Sequence, residues 1–197
     1  MTNQNIAILG WGSLIWDKRP EFDDQHHGWK AEGPVLPLEF SRISGKTRKQ
    51  ALTLVIDPAH GQDCAVQYAL SRRTNPDDAI CDLRSREGTV MNRIGFYFAD
   101  GSRKGAPNVP PTIPVWAKEK KLDVVVWTGL PSNFLEIAKE PFSVEAAIRH
   151  LQNLPPDAKA MAAEYVWRAP VLVQSPLRKA LQGEPWFAVQ TEAPKDK

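Results

Sequence analysis

Short apolar stretches rich in β-branched and aromatic residues recur along the first two thirds of the chain. Each stretch is bounded by Gly, Pro or Asp, which favour turns, so the pattern predicts a series of short β-strands. A period of two residues does not by itself separate a barrel from a sandwich. The predicted strands are residues 5–9, 36–43, 50–56, 64–70, 94–98, 112–116 and 123–128.

Helices are predicted mainly in the later part of the chain. This order, with strands first and helices late, favours an α+β fold over regular βαβ repetition. Residues 101–114 are rich in Gly and Pro and are predicted to form a loop or an extended edge. We expect one domain over residues 1–189 and a solvated tail at 190–197. The predicted helices are residues 76–87, 143–152, 156–164 and 175–182.

A glycine-rich turn follows the first predicted strand. Glycines at positions 10 and 12 allow backbone dihedrals closed to other residues, so the N–H groups of the turn can approach a carboxylate, a phosphate or an oxyanion. A tight strand exit without a ligand is the alternative. A dinucleotide-binding turn is disfavoured, because Ile15 replaces its third glycine and residues 16–20 do not continue an amphipathic helix. The turn consists of Gly10, Trp11, Gly12, Ser13 and Leu14.

The helix predicted at 76–87 has clear start and stop signals. Asn75 suits the N-cap, Pro76 the first helical position and Gly88 the end. One face carries Ile80, Leu83, Arg84 and Glu87 at helical spacing. The helix dipole and partial burial would both disfavour a charged Glu87, as a group acting as base and then acid near neutral pH requires. The alternative is a surface glutamate paired with Arg84 or Arg86.

Composition and charge narrow the class of protein. The 197 residues are 42% hydrophobic, and the net charge of +2 includes no basic block of the kind that follows a phosphate backbone, so nucleic acid is not an expected partner. No apolar run is long enough to span a membrane, and no secretory signal is recognised. Cys64 and Cys81 are expected as free thiols in a reducing cytoplasm. The oligomeric state is left open.

Histidines and carboxylates give little indication of a metal site. His26 and His27 are adjacent and point apart, and the nearby Asp23 and Asp24 lack the helical spacing by which two side chains share a metal. The remaining histidines are isolated. We expect no metal and place all four histidines at the surface, including His60 and His150.

Two short motifs resemble the γ-glutamylcyclotransferase superfamily. The glycine turn and the Ile15-Trp16 pair that follows are similar to the Tyr-Gly-Ser-Leu-Ile-Trp signature of its ChaC-like, glutathione-degrading branch, with Trp11 at the tyrosine position. The second motif resembles the Leu-X-X-Arg-Glu segment that carries the catalytic glutamate of that family. It consists of Leu83, Arg84, Ser85, Arg86 and Glu87.

The resemblance implies a mixed β-barrel of about six to seven strands with peripheral helices. It also implies a cofactor-free enzyme that cyclises a γ-glutamyl amide or amine to 5-oxoproline and releases the amine. Glu87 would be the general acid and base. The glycine turn would bind the small-molecule substrate, and the two motifs would meet in a cavity at the side of the barrel.

Two further residues are candidates for substrate binding. Arg42 lies on the predicted strand face of Phe40, where a cation needs a partner, either a substrate carboxylate or an internal acid such as Glu39 or Asp57. Tyr165 lies in a segment loosely similar to a late part of the family. It would line the pocket or, alternatively, belong to the core.

Trp11 bears on the choice between two functional classes. An indole donates a hydrogen bond but accepts none, so a tryptophan at the tyrosine position indicates a changed substrate or orientation. The first class is a γ-glutamylcyclotransferase-like enzyme. The second is a non-catalytic module on the same fold that binds a metabolite or a protein.

Overall fold

Strands and helices alternate irregularly through the computed structural model, which describes residues 4–45, 49–103 and 108–188. The described part of the chain is an α+β protein. Its strands are β1 (Ile6–Gly10), β2 (Val35–Ile43), β3 (Leu52–Ile56), β4 (Gln62–Ala65), β5 (Gln67–Leu70), β6 (Ile94–Phe98) and β7 (Val124–Thr128). Its helices are α1 (Ser13–Trp16), α2 (Pro20–Asp23), α3 (Pro76–Glu87), α4 (Thr112–Glu119), α5 (Phe134–Ala138), α6 (Val144–Gln152), α7 (Pro156–Arg168), α8 (Pro176–Leu181) and α9 (Pro185–Ala188).

Two compact units divide the chain. The first unit comprises Met1–Leu36 and Ala65–Leu130, and the second comprises Pro37–Cys64 and Pro131–Lys197. The expectation of a single domain over 1–189 stays a prediction. The proposed tail at 190–197 lies outside the described residues.

A four-stranded sheet in the order β5-β1-β7-β6 forms the centre of the first unit. β1 pairs in parallel with β7, and both outer pairs, β1 with β5 and β7 with β6, are antiparallel. The sequences of β1 and β7 are almost wholly apolar, as expected for central strands covered on both faces. The glycine turn therefore follows a strand fixed on both sides by hydrogen bonds.

Helix α3 packs on one face of this sheet. The core there joins alternate residues of β1 and β7 to the buried side of the helix, and further apolar residues complete it: Ile6, Ile8, Leu14, Phe22, Ala79, Ile80, Leu83, Ile94, Phe98, Val124 and Val126. Burying about ten such side chains accounts for much of the stability of the unit, since each contributes about 1.5–3 kcal/mol. The core therefore holds α3 against β1, the strand that leads into the glycine turn.

Local signals set both ends of α3 as predicted. The Asn75 side chain accepts a hydrogen bond from the Asp77 N–H, and Pro76 occupies the first turn, where a missing N–H costs nothing. Gly88 ends the helix with a left-handed φ of 58°, a conformation that glycine adopts without strain. The predicted bounds of 76–87 are confirmed.

The second unit contains a three-stranded sheet in the order β3-β2-β4 and the helices from α5 onward. β2 and β3 are antiparallel, and their register shifts between Glu39 and Arg42. The shift interrupts the alternation of the two faces. Glu39 and Phe40 are both buried, although they are neighbours along the strand.

Several predicted elements differ from the structure. The strand predicted at 112–116 is wrong, since these residues begin α4 and bury Ile113, Trp116 and Ala117 at helical spacing. Pro114 is tolerated because it lies in the first turn of the helix. The strand predicted at 64–70 is two strands, β4 and β5.

The strand pairings also differ from those of a barrel. The described strands form two open sheets of four and three strands, and no closed barrel is found among them. The order of strands and helices along the chain thus predicted the α+β class, whereas the barrel of six to seven strands that the resemblance implies is not found among the described strands.

Candidate functional site

The glycine turn spans the end of β1 and the start of the single-turn helix α1, and all five of its residues are buried. Gly12 is the N-cap of α1 and provides no side-chain acceptor. The Gly12 carbonyl accepts from the Ile15 N–H at 3.0 Å, and the Ser13 carbonyl accepts from the Asp17 N–H at 2.8 Å. These two bonds give the turn a defined shape.

Gly10 is required for a reason other than the one the sequence suggested. It is a strand residue, and positive φ among the described glycines is found only at Gly88 and Gly101. A Cβ at position 10 would lie 2.6 Å from Cζ3 of the Trp29 ring. Close packing of this indole, rather than an unusual dihedral, therefore demands glycine at Gly10. Gly12 likewise has a negative φ of −140°.

Trp11 is also an interior residue of the turn. Its side chain is 5% exposed, so this position carries a buried indole where the resembling signature has a tyrosine. Ser13 is 8% exposed and Leu14 is 6% exposed. Trp11, Ser13 and Leu14 are thus all shielded from solvent.

Glu87 is the last residue of α3, and its side chain is half-buried. The buried face of α3 consists of Ala79, Ile80, Leu83 and Arg86. Arg84, which was predicted on the apolar face, is only half-buried, and its guanidinium donates to the Ser85 hydroxyl. The buried stripe therefore ends at Arg86, with Glu87 at its margin.

Arg86 connects the two motifs within the first unit. Its Nη2 donates to the Ser13 carbonyl at 3.2 Å and to the Asp17 carbonyl at 2.8 Å. It also lies 3.3 Å from Oδ2 of Asp17. Because Arg86 is the neighbour of Glu87, the segments around Glu87 and Ser13 are in direct contact. In the sequence analysis Arg86 is part of the second motif and an alternative surface partner of Glu87, although its spacing from Ala79 and Leu83 already placed it on the buried face.

Arg42 and Tyr165 belong to the second unit. The Arg42 guanidinium donates to the Pro131 carbonyl at 2.8 Å, an acceptor that the sequence did not suggest. Tyr165 lies in α7, is 7% exposed and packs edge-to-face on Phe40 with 6.1 Å between ring centroids. This is the core environment that was one of its two expected roles.

A buried polar cluster in the second unit surrounds Glu39, which is fully buried. Its carboxylate accepts from the Ser175 hydroxyl at 2.6 Å, from the Phe40 N–H at 2.7 Å and from the Leu177 N–H at 3.1 Å. Burial raises the pKa of Glu39, and these three hydrogen bonds oppose the rise. Burial also raises the pKa of the Cys64 thiol. The protein itself thus supplies three donors to the Glu39 carboxylate, as is typical of a carboxyl group with a structural role.

An open apolar cavity of about 390 Å³ lies beside α4. Neither the glycine turn nor Glu87 lines it. Its lining residues are Gly33, Pro34, Val35, Pro111, Thr112, Val115, Trp116 and Glu119.

Within residues 4–45, 49–103 and 108–188, no group of three or more His, Cys, Asp or Glu side chains could hold a metal ion. His26 is not at the surface as expected but buried, with its ring stacked between Phe22 and Trp29. Cys64 and Cys81 carry free thiols. Among the described helices, none is long and apolar enough to cross a membrane.

Comparisons of the chain with protein-family profiles, with curated protein sequences and with solved structures find no match. The functional interpretation therefore depends on the residues and their geometry.

Proposed function

We propose that this protein is a cofactor-free, γ-glutamylcyclotransferase-like enzyme of the cytoplasm, with Glu87 as general acid and base. The observation that carries the proposal is the contact of Arg86 with the carbonyl groups of Ser13 and Asp17. Two motifs far apart in the sequence, each resembling a functional segment of one superfamily, are adjacent in one unit. This adjacency supports a common site, because a catalytic base must lie close to the groups that bind the substrate.

The proposed reaction forms one C–N bond and breaks another. The α-amine of the substrate attacks its own γ-carbonyl carbon, giving a tetrahedral intermediate with a negatively charged oxygen. Glu87 takes the proton that the attacking nitrogen loses and delivers it to the leaving nitrogen. The amide bond then breaks, and the products are 5-oxoproline and the free amine.

Because the substrate supplies its own nucleophile, the protein contributes orientation, proton transfer and stabilisation of the oxyanion. N–H groups of the Gly10–Leu14 turn would bind the polar end of the substrate and the developing oxyanion. The Ser13 hydroxyl would be an additional contact. The buried turn suits this role, since hydrogen bonds to a charge are stronger where water is excluded.

Two features of Glu87 support the proposed role. It is half-buried at the end of a helix, where the dipole favours the neutral acid. Arg42 and Tyr165 stay outside the mechanism, since Arg42 donates to a carbonyl and Tyr165 packs in a core.

The test is release of 5-oxoproline from a panel of γ-glutamyl dipeptides, γ-glutamyl amines and glutathione. Glu87→Gln should lower turnover by about 10²–10⁴-fold, the usual contribution of general acid–base catalysis. Glu119→Gln is the matched control, because Glu119 also ends a helix of the first unit but is exposed. It should leave turnover unchanged.

Two results would contradict the proposal. Full activity in Glu87→Gln would exclude the assigned base. A wild-type protein that turns over no member of the panel would favour the alternative of a metabolite- or protein-binding module.

A further inference from the structure

The Arg86 side chain is 3% exposed and lies against the glycine turn. Its Nη2 contacts the Ser13 carbonyl, the Asp17 carbonyl and the Asp17 carboxylate. Two of these acceptors are main-chain oxygens. The guanidinium therefore determines backbone geometry and does more than pair with a charge.

The Ser13 carbonyl shares a planar trans peptide with the Leu14 N–H, so the two groups point in opposite directions. Arg86 and the Asp17 N–H both donate to this carbonyl. Two donors on one oxygen restrict rotation of the peptide plane. The direction of the Leu14 N–H follows from that of the Ser13 carbonyl.

Arg86 also fixes the separation between the glycine turn and the end of α3. Arg86 and Glu87 are consecutive in α3, and the helix is held in the core by Ile80 and Leu83. The guanidinium spans from this rigid helix to the turn. Movement of the turn relative to the end of α3 would break its hydrogen bonds.

We propose that Arg86 is a positioning residue that sets the direction of the Leu14 N–H and the separation of the turn from Glu87. Its effect on catalysis rests on the proposed function. Its effect on backbone geometry does not. Arginine suits the role because it stays charged and cannot exchange roles with Glu87 as an acid or base.

Arg86→Lys tests this role, because lysine keeps the charge but its nitrogen ends one bond earlier in the side chain. The turn must move towards the helix, or the hydrogen bonds are lost. Arg178→Lys is the matched control. Arg178 is as buried as Arg86 and also donates to main-chain carbonyls, but it lies in the second unit.

The first measurement is the orientation of backbone N–H bonds from residual dipolar couplings of ¹⁵N-labelled protein. In Arg86→Lys, the residual dipolar coupling of the Leu14 N–H should differ from its wild-type value. The couplings of the N–H groups in β1 and α3 should stay at their wild-type values. In Arg178→Lys, the coupling of Leu14 should be unchanged. An unchanged coupling in Arg86→Lys overturns the proposal, whatever the enzyme does.

The second measurement is kcat and KM with a substrate found in the panel. Arg86→Lys should lower kcat by about a hundredfold with little change in KM, since misplaced groups affect the transition state more than substrate binding. Arg178→Lys should leave both constants unchanged. A reoriented Leu14 with unchanged kcat would refute the catalytic role alone.

A wild-type protein without turnover would refute the proposed function, and the couplings would still decide whether Arg86 positions the turn. If Arg86→Lys does not fold, Arg86→Gln removes the buried charge together with the reach. It gives the same two measurements with the same expected results.

Discussion

Arg86 and Arg178 are equally buried, each 7% exposed when the whole residue is counted, yet they bind very different parts of the chain. Arg178 donates to the carbonyls of Pro170, Val173 and Ala169 at 2.7, 2.8 and 3.0 Å, all within nine residues of itself. Arg86 donates to Ser13 and Asp17, which precede it by 73 and 69 residues.

The difference separates two uses of a buried cation. Arg178 satisfies carbonyls just after the end of α7, a local corner of the second unit, and burial lowers the pKa of its guanidinium. Arg86 joins two distant segments and has a carboxylate beside it. A buried arginine can thus either complete a local fold or hold two parts of a candidate site together.

The largest expected effect is that of Arg178→Met on stability. Removing the guanidinium deprives the buried carbonyls of Val173 and Ala169 of this donor, which should lower the free energy of unfolding by about 3 kcal/mol. Urea denaturation measures the loss. Arg168→Met is the control, since Arg168 and Glu164 form an exposed pair that is worth less than about 0.5 kcal/mol. Equal losses in the two variants would show that Arg178 is not a structural cap.

Gly10→Ala tests whether packing holds the turn as well as Arg86 does. The new Cβ would meet the Trp29 ring at 2.6 Å, so the ring or the strand must move, at a cost of about 1–3 kcal/mol. Gly28→Ala is the matched control, because a Cβ there has no neighbour within 4 Å. Thermal or urea unfolding should show a loss of stability in Gly10→Ala and none in Gly28→Ala. Adding Trp29→Leu to the Gly10→Ala protein should restore part of the lost stability. No loss in Gly10→Ala would leave Arg86 as the main constraint on the turn.

Glu39→Gln tests whether the stability contributed by the polar cluster of the second unit depends on pH. Because burial raises the folded-state pKa of Glu39, the folded protein binds its proton more tightly than the unfolded chain does. This stability is fully present below the unfolded pKa of about 4.3 and is lost as pH rises through the folded pKa. The glutamine variant cannot titrate. The wild-type advantage in unfolding free energy should therefore shrink as pH rises, by about 1.4 kcal/mol for each unit between the two pKa values. A constant difference from pH 4 to 8 would contradict a raised pKa.

The smallest effect is expected from Asp17→Asn. The Asp17 side chain is 32% exposed and its oxygen lies 3.3 Å from Arg86, so solvent screens the pair. The carbonyl contacts of Arg86 remain in this variant. Unfolding free energy should fall by less than about 1 kcal/mol. A loss well above about 1 kcal/mol would mean that the ion pair, and not the carbonyl contacts, stabilises the turn.

Features with a local cause could be predicted from the sequence. Both ends of α3 follow from Asn75, Pro76 and Gly88, whose effects act within one helical turn. The strand β7 follows from an unbroken apolar run. In contrast, residues 112–116 have strand-like side chains, and only the packing of Ile113 and Trp116 makes them helical.

Features with a distant cause could not be predicted. The need for glycine at position 10 comes from the ring of Trp29. The buried guanidinium of Arg86 finds its acceptors in the carbonyl groups of Ser13 and Asp17. The order of strands in a sheet, and whether the sheet closes into a barrel, also depend on pairing between segments that are distant in the sequence. The candidate residues Gly10–Leu14 and Glu87 could be proposed from motifs, but the residue that connects them became visible only in three dimensions.

The parallel pairing of β1 with β7 has a consequence for biosynthesis. Ile6 pairs with Val124, so the strand that leads into the glycine turn lacks one of its neighbours until β7 has been synthesised. Loop-closure entropy must be overcome before such distant contacts stabilise the chain, which slows folding. Before β7 is synthesised, β1 is therefore an apolar and incompletely paired strand, and we expect it to be a binding site for chaperones until β7 emerges.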